Sequence, residues 1–125
     1  MKETIIPRIL GADAMIIGTP VYFNNVSAQL KSFMDRTWSI RGKLKNKIGA
    51  AVVVGRRYGA EGAVAAINSF LLKHDMIIAN RGITGVAYEA GGIKDDRESI
   101  EAAATLASRI LELGTALVFP EKDDS

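Results

Sequence analysis

The residues best suited to chemistry form a short polar and aromatic loop, which directly follows the apolar run Ala14–Gly18. The loop consists of Thr19, Pro20, Val21, Tyr22, Phe23, Asn24 and Asn25. Its backbone N–H groups and asparagine amides could hydrogen-bond the edge of a planar heterocycle, while Tyr22 or Phe23 lies against the ring. The same spacing fits a strand-to-helix turn whose two aromatic side chains lie in the core. Spacing alone favours that structural interpretation.

A second candidate loop follows the apolar run Ile48–Val54 and extends to Gly62. Its candidate binding residues are Gly55, Arg56, Tyr58 and Gly59. The adjacent arginines at positions 56 and 57 could hold a phosphate or pyrophosphate through charge-assisted hydrogen bonds, although solvated surface arginines are the commoner case. The glycine spacing does not match the dinucleotide-binding fingerprint.

Few other residues suggest chemistry. Tyr88 is a lesser candidate in the glycine-containing segment Asn80–Lys94, which we predict to be a long loop. The single histidine, His74, precedes a strand, at the end of the sheet away from ligands, so we predict a structural role. The sequence shows no Ser/His/Asp set and no paired carboxylates, so we assign no catalytic residue. With no cysteine, it also offers no cysteine-ligated metal site.

Length and composition indicate one domain over residues 1–125. A net charge of +2 is too small to indicate a nucleic-acid partner. No apolar stretch approaches the roughly 20 residues of a membrane span. The amino terminus lacks a basic-then-apolar signal pattern, so we expect a cytoplasmic protein without a membrane partner.

The elements that must position these loops alternate between strand and helix. Apolar runs predict strands at 14–18, 48–54 and 76–79, and periodicity predicts helices at 1–10, 27–38, 61–73 and 95–117. The predicted inward faces of the second and last helices are Leu30, Phe33, Met34, Thr37 and Trp38, and Ile100, Ala103, Ala107, Ile110, Gly114 and Leu117. We predict a capping-box-like start for the last helix at Asp95 and a solvated loop at Arg41–Lys47. This order implies an α/β fold, with a three-stranded parallel sheet and helices on both faces.

The segments Ala12–Phe23, Ser27–Lys31 and Phe33–Thr37 closely resemble the flavodoxin-like NADPH-dependent FMN reductases. Within that group the sequence looks most like the iron–sulfur flavoproteins. It is also similar to the NAD(P)H:quinone oxidoreductases of the tryptophan-repressor-binding-protein type. The resemblance implies a flavodoxin-like three-layer sandwich, with the predicted strands in the third, fourth and fifth places.

The resemblance also implies FMN as cofactor and NAD(P)H as co-substrate, with electrons passing to a quinone or other acceptor. The loops at 19–25 and 55–59 would then border the flavin ring, and Tyr88 its pyrimidine end. One departure is Ala60, which stands where the family usually has a second glycine. Whether the chain is an active enzyme is left open at this point.

Two further features of the family have no counterpart in this sequence: the loop that cradles the FMN phosphate, and the cysteines of an iron–sulfur cluster. We therefore expect weakened FMN binding and no cluster. The first predicted strand would have an open edge, which an oligomer of the chain, a dimer or tetramer, would cover. Two alternatives are a non-enzymatic oligomerisation or binding module, and a nucleotide-binding protein that uses Arg56 and Arg57.

Overall fold

The computed structural model describes residues 4–88 and 91–117, and in them four parallel strands form one sheet. The strands are β1 (Ala14–Pro20), β2 (Ile48–Gly55), β3 (Ile77–Ile78) and β4 (Ile83–Val86). β2 is central, because β1 pairs along one side of it while β3 and β4 pair along the other. The runs of β1 and β2 are apolar on both faces, as is usual for parallel strands that helices cover on both sides. The predicted parallel sheet is confirmed.

The third predicted strand is longer than predicted and is interrupted. β3 covers two residues of the predicted run, and β4 continues the pairing with β2 inside the segment predicted to be a loop. Ile78 pairs with Gly49, and Ile83 pairs with Val52. Four residues of one chain segment therefore lie opposite two residues of β2, so the sheet has four strands rather than the expected three.

Glycine explains why the sequence did not reveal β4. Gly82, just before it, has a φ of +102°, and Gly85 lies within it. A Cβ at Gly85 would lie 2.5 Å from Ile93 Cδ1, so a larger residue there would displace the Ile93 side chain. Glycine is depleted in strands, and its presence made this segment look like a loop.

Three helices cover one face of the sheet: α1 (Ile5–Gly11), α2 (Ala28–Arg36) and α3 (Ala60–Lys73). A 3₁₀ turn, Thr37–Ile40, extends α2. The core on this face includes Ile6, Ile17, Met34, Val53, Ile67 and Leu71. The Ser27 side chain caps α2 by accepting a hydrogen bond from the Leu30 N–H at 3.1 Å, so that predicted start is confirmed.

One helix, α4 (Arg97–Ala116), covers the other face, with Leu106 at its centre. Its buried or half-buried residues are Ser99, Ala102, Leu106, Ile110, Leu113 and Gly114. Of the predicted inward face, Ile110 and Gly114 are half-buried, as predicted. Ile100, Ala103, Ala107 and Leu117 are exposed, so the prediction is wrong for these four. The apolar arc of α4 is wider than the sheet covers, and the sequence could not show which side of it faces inward.

Three smaller expectations also need correction. Asp96, not Asp95, caps α4. Trp38 is not in the core: its side chain is 59% exposed, and the Arg41 guanidinium lies 4.4 Å above its ring. The segment predicted to be a solvated loop contains Leu44, which is fully buried.

Candidate functional site

The ends of β1, β2 and β4 meet at one edge of the sheet, which we call the carboxyl edge. Pro20 pairs with Val54, and Gly55 pairs with Val86. Backbone hydrogen bonds tie the strand ends together: Val21 N–H donates to the Val54 carbonyl at 3.0 Å, and Ala87 N–H donates to the Gly55 carbonyl at 3.0 Å. Parallel α/β sheets bind ligands at such an edge. The fold thus places all three predicted loops side by side.

The first loop is anchored by side chains that the sequence assigned to ligand binding. Thr19 is 6% exposed; its hydroxyl accepts from Ser27 N–H at 3.1 Å and donates to the Pro20 carbonyl at 2.9 Å. Asn25 Oδ1 accepts from Val26 N–H at 2.8 Å. The polar groups of Thr19 and Asn25 therefore hold the loop in shape, which leaves Tyr22, Phe23 and Asn24 at its tip.

The tip is a tight two-residue turn. Tyr22 and Asn25 exchange two backbone hydrogen bonds of 3.0 Å, and the residues between them, Phe23 and Asn24, have φ of +48° and +62°. Two successive positive φ values are the mark of a type I′ turn, which normally selects asparagine or glycine. Asn24 suits this geometry. Phe23 does not, because a bulky side chain in the left-handed region costs about 1–2 kcal/mol.

The second loop approaches the first so closely that two positions admit only glycine. A Cβ at Gly59, whose φ is +86°, would lie 2.3 Å from Asn24 Oδ1. A Cβ at Gly62, in the first turn of α3, would lie 2.0 Å from the Asn24 carbonyl oxygen. At the end of β2, a Cβ at Gly55 would contact Val21 Cγ2 at 3.0 Å. Because these glycines have no side chains, the two loops can pack directly against each other.

Gly62 shapes the site but is not among the residues that the sequence predicts for it. A glycine in the first turn of a helix costs stability and therefore indicates a close backbone approach. With Gly59 three residues before it, that signal was available in the sequence. Its contact, the Asn24 carbonyl, was not, because it depends on how the two loops fold together.

Four exposed aromatic side chains lie at the carboxyl edge. Tyr22 and Tyr88 are each 58% exposed, Tyr58 is 82% exposed, and Phe23 is 102% exposed. They include all three tyrosines of the chain. The alternative interpretation, with Tyr22 and Phe23 in the core, is therefore wrong. Solvent-exposed aromatic rings at the carboxyl edge provide surfaces on which a planar ligand can stack.

Two cavities in the described part of the chain share only Asn25 with the two interlocked loops. One, of about 970 Å³, runs between β4 and α4 and includes Tyr88 and Asp96 in its lining. The other, of about 710 Å³, lies between α2 and α3 and includes Asn25 and His74. Neither is lined by Phe23, Tyr58, Gly59 or Gly62, so neither cavity contains the centre of the predicted ring site. Tyr88 borders it from the side of the first cavity.

Asp96 ties the end of β4 to the start of α4. Its carboxylate accepts hydrogen bonds from Val86 N–H at 2.8 Å and from Ser99 N–H at 3.1 Å. These bonds lower the pKa of Asp96, with the Val86 bond the largest cause. The carboxylate thereby fixes the segment that carries Tyr88.

His74 has the structural role that the sequence predicted. It ends α3, is 6% exposed, and its Nε2 lies 2.9 Å from Thr37 Oγ1. Burial lowers the pKa of His74, while the nearby Asp75 carboxylate opposes that shift. Its position at the amino end of β3 is remote from the carboxyl edge.

In residues 4–88 and 91–117, no group of three or more histidine or acidic side chains converges as a metal site would require. No helix in that part of the chain has the length and apolar character needed to cross a bilayer.

Comparisons with known proteins identify the family and the fold of the chain. The sequence model of the NADPH-dependent FMN reductase family matches residues 2–91. An iron–sulfur flavoprotein of Methanocaldococcus jannaschii is 39% identical over 122 residues, which cover 89% of this chain and 63% of that protein. The chain thus spans less than two thirds of this relative.

Solved structures share the fold. The Trp repressor binding protein from Bacillus subtilis superposes with a TM-score of 0.75 at 23% identity, covering 83% of this chain and 68% of that one. The flavodoxin, WrbA-like protein from Agrobacterium tumefaciens gives 0.62 at 17% identity, with coverage of 82% and 71%. The flavodoxin-like fold and the resemblance to iron–sulfur flavoproteins are therefore confirmed. This chain belongs to the NADPH-dependent FMN reductase family.

Proposed function

We propose that this chain binds FMN at the carboxyl edge of its sheet, as part of an oxidoreductase that moves electrons from NAD(P)H to a quinone or another acceptor. The observation that carries the proposal is Phe23, a wholly exposed aromatic side chain on a strained turn. No packing within the described residues stabilises the exposed Phe23 side chain. A planar ligand stacked on the ring would stabilise it.

The residues present fit a flavin ring. Tyr22, Phe23 and Tyr58 offer aromatic faces and edges. The backbone N–H groups of Phe23 and Asn24 form no hydrogen bond within the described residues and are available to the polar rim of the ring. When bound, FMN would supply the redox chemistry, accepting a hydride from NAD(P)H and releasing electrons to the acceptor.

The protein's part in this chemistry is to position the ring. Gly59 and Gly62 let the two loops touch, which fixes Asn24 and the aromatic residue before it. Arg56 is exposed between the end of β2 and α3, where it borders the same edge. Tyr88 does so from the β4 side. In this proposal the 125 residues supply contacts to the ring, and no proton is transferred by a side chain.

Titration with FMN and with riboflavin tests the proposal. We expect both flavins to lose fluorescence on binding, with dissociation constants within about threefold, a difference below roughly 0.7 kcal/mol. A charge-assisted phosphate contact from Arg56 or Arg57 would instead favour FMN by about tenfold or more. Binding of neither flavin would contradict the proposal. A response to ADP alone would favour the nucleotide-binding alternative.

The second candidate function is a non-enzymatic binding or oligomerisation module. The observation that favours it is β1, an apolar strand with one side unpaired within the described sheet. Such an edge is a template for association. Size measurement by light scattering tests the predicted homo-oligomer, and a monomer at micromolar concentration would contradict it.

A further inference from the structure

We propose that the cavity of about 710 Å³ between α2 and α3 binds a small aromatic carboxylate. We call this cavity the α2–α3 cleft. The aromatic part of the ligand would lie on apolar side chains of the cleft, and its carboxylate would lie at the rim beside Arg41 and Lys73. This proposal goes beyond flavin binding and does not depend on it.

Two stripes of helix residues form the walls of the cleft. The stripe of α2 and its 3₁₀ extension consists of Lys31, Met34, Asp35 and Trp38, and the stripe of α3 consists of Ala66, Ser69, Phe70 and Lys73. Both follow the spacing i, i+3, i+4, i+7, which places four residues on one face of a helix. Seven helical residues rise about 10 Å, so the cleft has the length of a small molecule with one or two aromatic rings. Its volume is also in the range of small-molecule sites.

The floor of the cleft is largely apolar. Met34 is buried, Ala66 and Phe70 are half-buried, and the Phe70 ring contacts the ring of His74. The Trp38 ring remains 59% exposed, although the Arg41 guanidinium lies above it. The cleft therefore offers an aromatic ligand both a partly buried floor and an exposed ring to stack on.

The rim is basic where the two helices end. The 2.9 Å contact between Thr37 Oγ1 and His74 Nε2 holds the end of α2 against the end of α3. It brings Trp38, with Arg41 over its ring, to the same end of the cleft as Lys73. Arg41 Nη1 donates to the Trp38 carbonyl at 3.0 Å, and the remaining N–H groups of the guanidinium can bind a carboxylate.

The charges of the lining favour an anion. Lys31 and Asp35 form an ion pair with each other, so their charges largely cancel. The other charged side chains of the lining are Arg41 and Lys73, and both are positive. A carboxylate at this rim would be attracted by two cations, whereas an ammonium group would be repelled.

His74 explains why the carboxylate belongs at the rim and not at the floor. His74 lines the cleft and is buried. The Thr37 hydroxyl donates to the Met34 carbonyl at 2.7 Å, so it accepts from His74 Nε2–H. Burial lowers the pKa of His74, although the nearby Asp75 carboxylate opposes this shift, so the ring is neutral and Nδ1 carries a lone pair. Nδ1 has no partner among the described residues, and a carboxylate beside it would find no donor.

Three ligands with one aromatic ring system and different head groups test the proposal. The probes are naphthylacetate, naphthylethanol and naphthylethylamine. We expect naphthylacetate to bind about fivefold or more tightly than the alcohol, and the amine to bind most weakly. Amide shifts in NMR titrations should map to the facing stripes of α2 and α3. The indole N–H of Trp38 should shift as well, and it gives a single signal because the chain has one tryptophan.

Arg41→Gln should weaken naphthylacetate binding about fivefold and leave naphthylethanol binding unchanged, because it removes the charge and keeps an amide of similar length. Arg36→Gln is the matched control, since Arg36 is exposed on α2 and does not line the cleft. It should leave both affinities unchanged, and circular dichroism should show both variants folded. The proposal is overturned if no probe shifts the two stripes, if the three probes bind equally, or if both variants weaken naphthylacetate binding equally. None of these outcomes depends on flavin.

Discussion

Phe23→Asn separates the contribution of this residue to ligand binding from its contribution to stability. The phenylalanine ring is fully exposed, so its removal exposes no core surface. Asparagine tolerates the φ of +48° that the turn imposes, which should relieve up to about 1 kcal/mol of strain. For a chain of this size that gain corresponds to a rise in melting temperature of roughly 4 °C.

The same substitution should weaken flavin binding. An aromatic contact contributes about 0.5–1.5 kcal/mol beyond the area that it buries, so we expect the dissociation constant to rise roughly 2–10-fold. Thermal unfolding by circular dichroism and flavin fluorescence titration measure the two effects. Trp38→Ala, which removes an exposed aromatic side chain away from the carboxyl edge, should leave flavin binding unchanged.

Either of two results would refute this reasoning. A decrease of more than about 1 kcal/mol in the free energy of unfolding of Phe23→Asn would show that the phenylalanine ring packs within the fold. Unchanged flavin affinity, with a working control, would show that the ring does not contact the ligand.

Three further predictions concern the elements that hold the site. Gly62→Ala should destabilise the protein by about 2–3 kcal/mol in urea unfolding, because its Cβ would overlap the Asn24 carbonyl oxygen; an unchanged midpoint would contradict the interlocked loops. Burial lowers the pKa of His74 below 6.5, so the unfolded chain binds the proton more readily. Stability should therefore decrease as the pH falls through 6.5, and His74→Gln should flatten that decrease; an equally steep profile in the variant would exclude His74 as its source. The pKa of Asp96 is also lowered, so its carboxylate stabilises the fold above about pH 4 and loses this effect as the pH falls through the lowered pKa. Asp96→Asn should remove this loss of stability in acid. An identical loss of stability in the variant would count against the hydrogen bond to Val86.

Periodicity was sufficient for most of the fold. The apolar runs of β1 and β2 are flanked by clear glycines or prolines and form strands as predicted. The predicted stripe of α2 is buried or half-buried as far as Thr37, and only Trp38 is exposed. β4 was missed because glycine has two uses, in loops and at close contacts, and Gly85 serves the second. The face of α4 was misassigned because the helix is apolar on two adjoining sides.

The site shows a similar division. Residue types and the family resemblance pointed to three loops, and the parallel sheet places these loops at one edge. They did not distinguish side chains that shape the loop, such as Thr19, from those left exposed, such as Phe23. That distinction depends on the turn type and on the contact between Asn24 and Gly62, both of which are properties of the folded chain.

Mapping of backbone amide shifts by NMR during an FMN titration tests the central claim most directly. If the ring binds at the carboxyl edge, the largest amide shifts will fall on residues 21–25, 55–62 and 87–88, and the amide shifts of α1 and of His74 will stay unchanged. Shifts centred on the cleft between α2 and α3, or no shift at saturating FMN, would contradict the account.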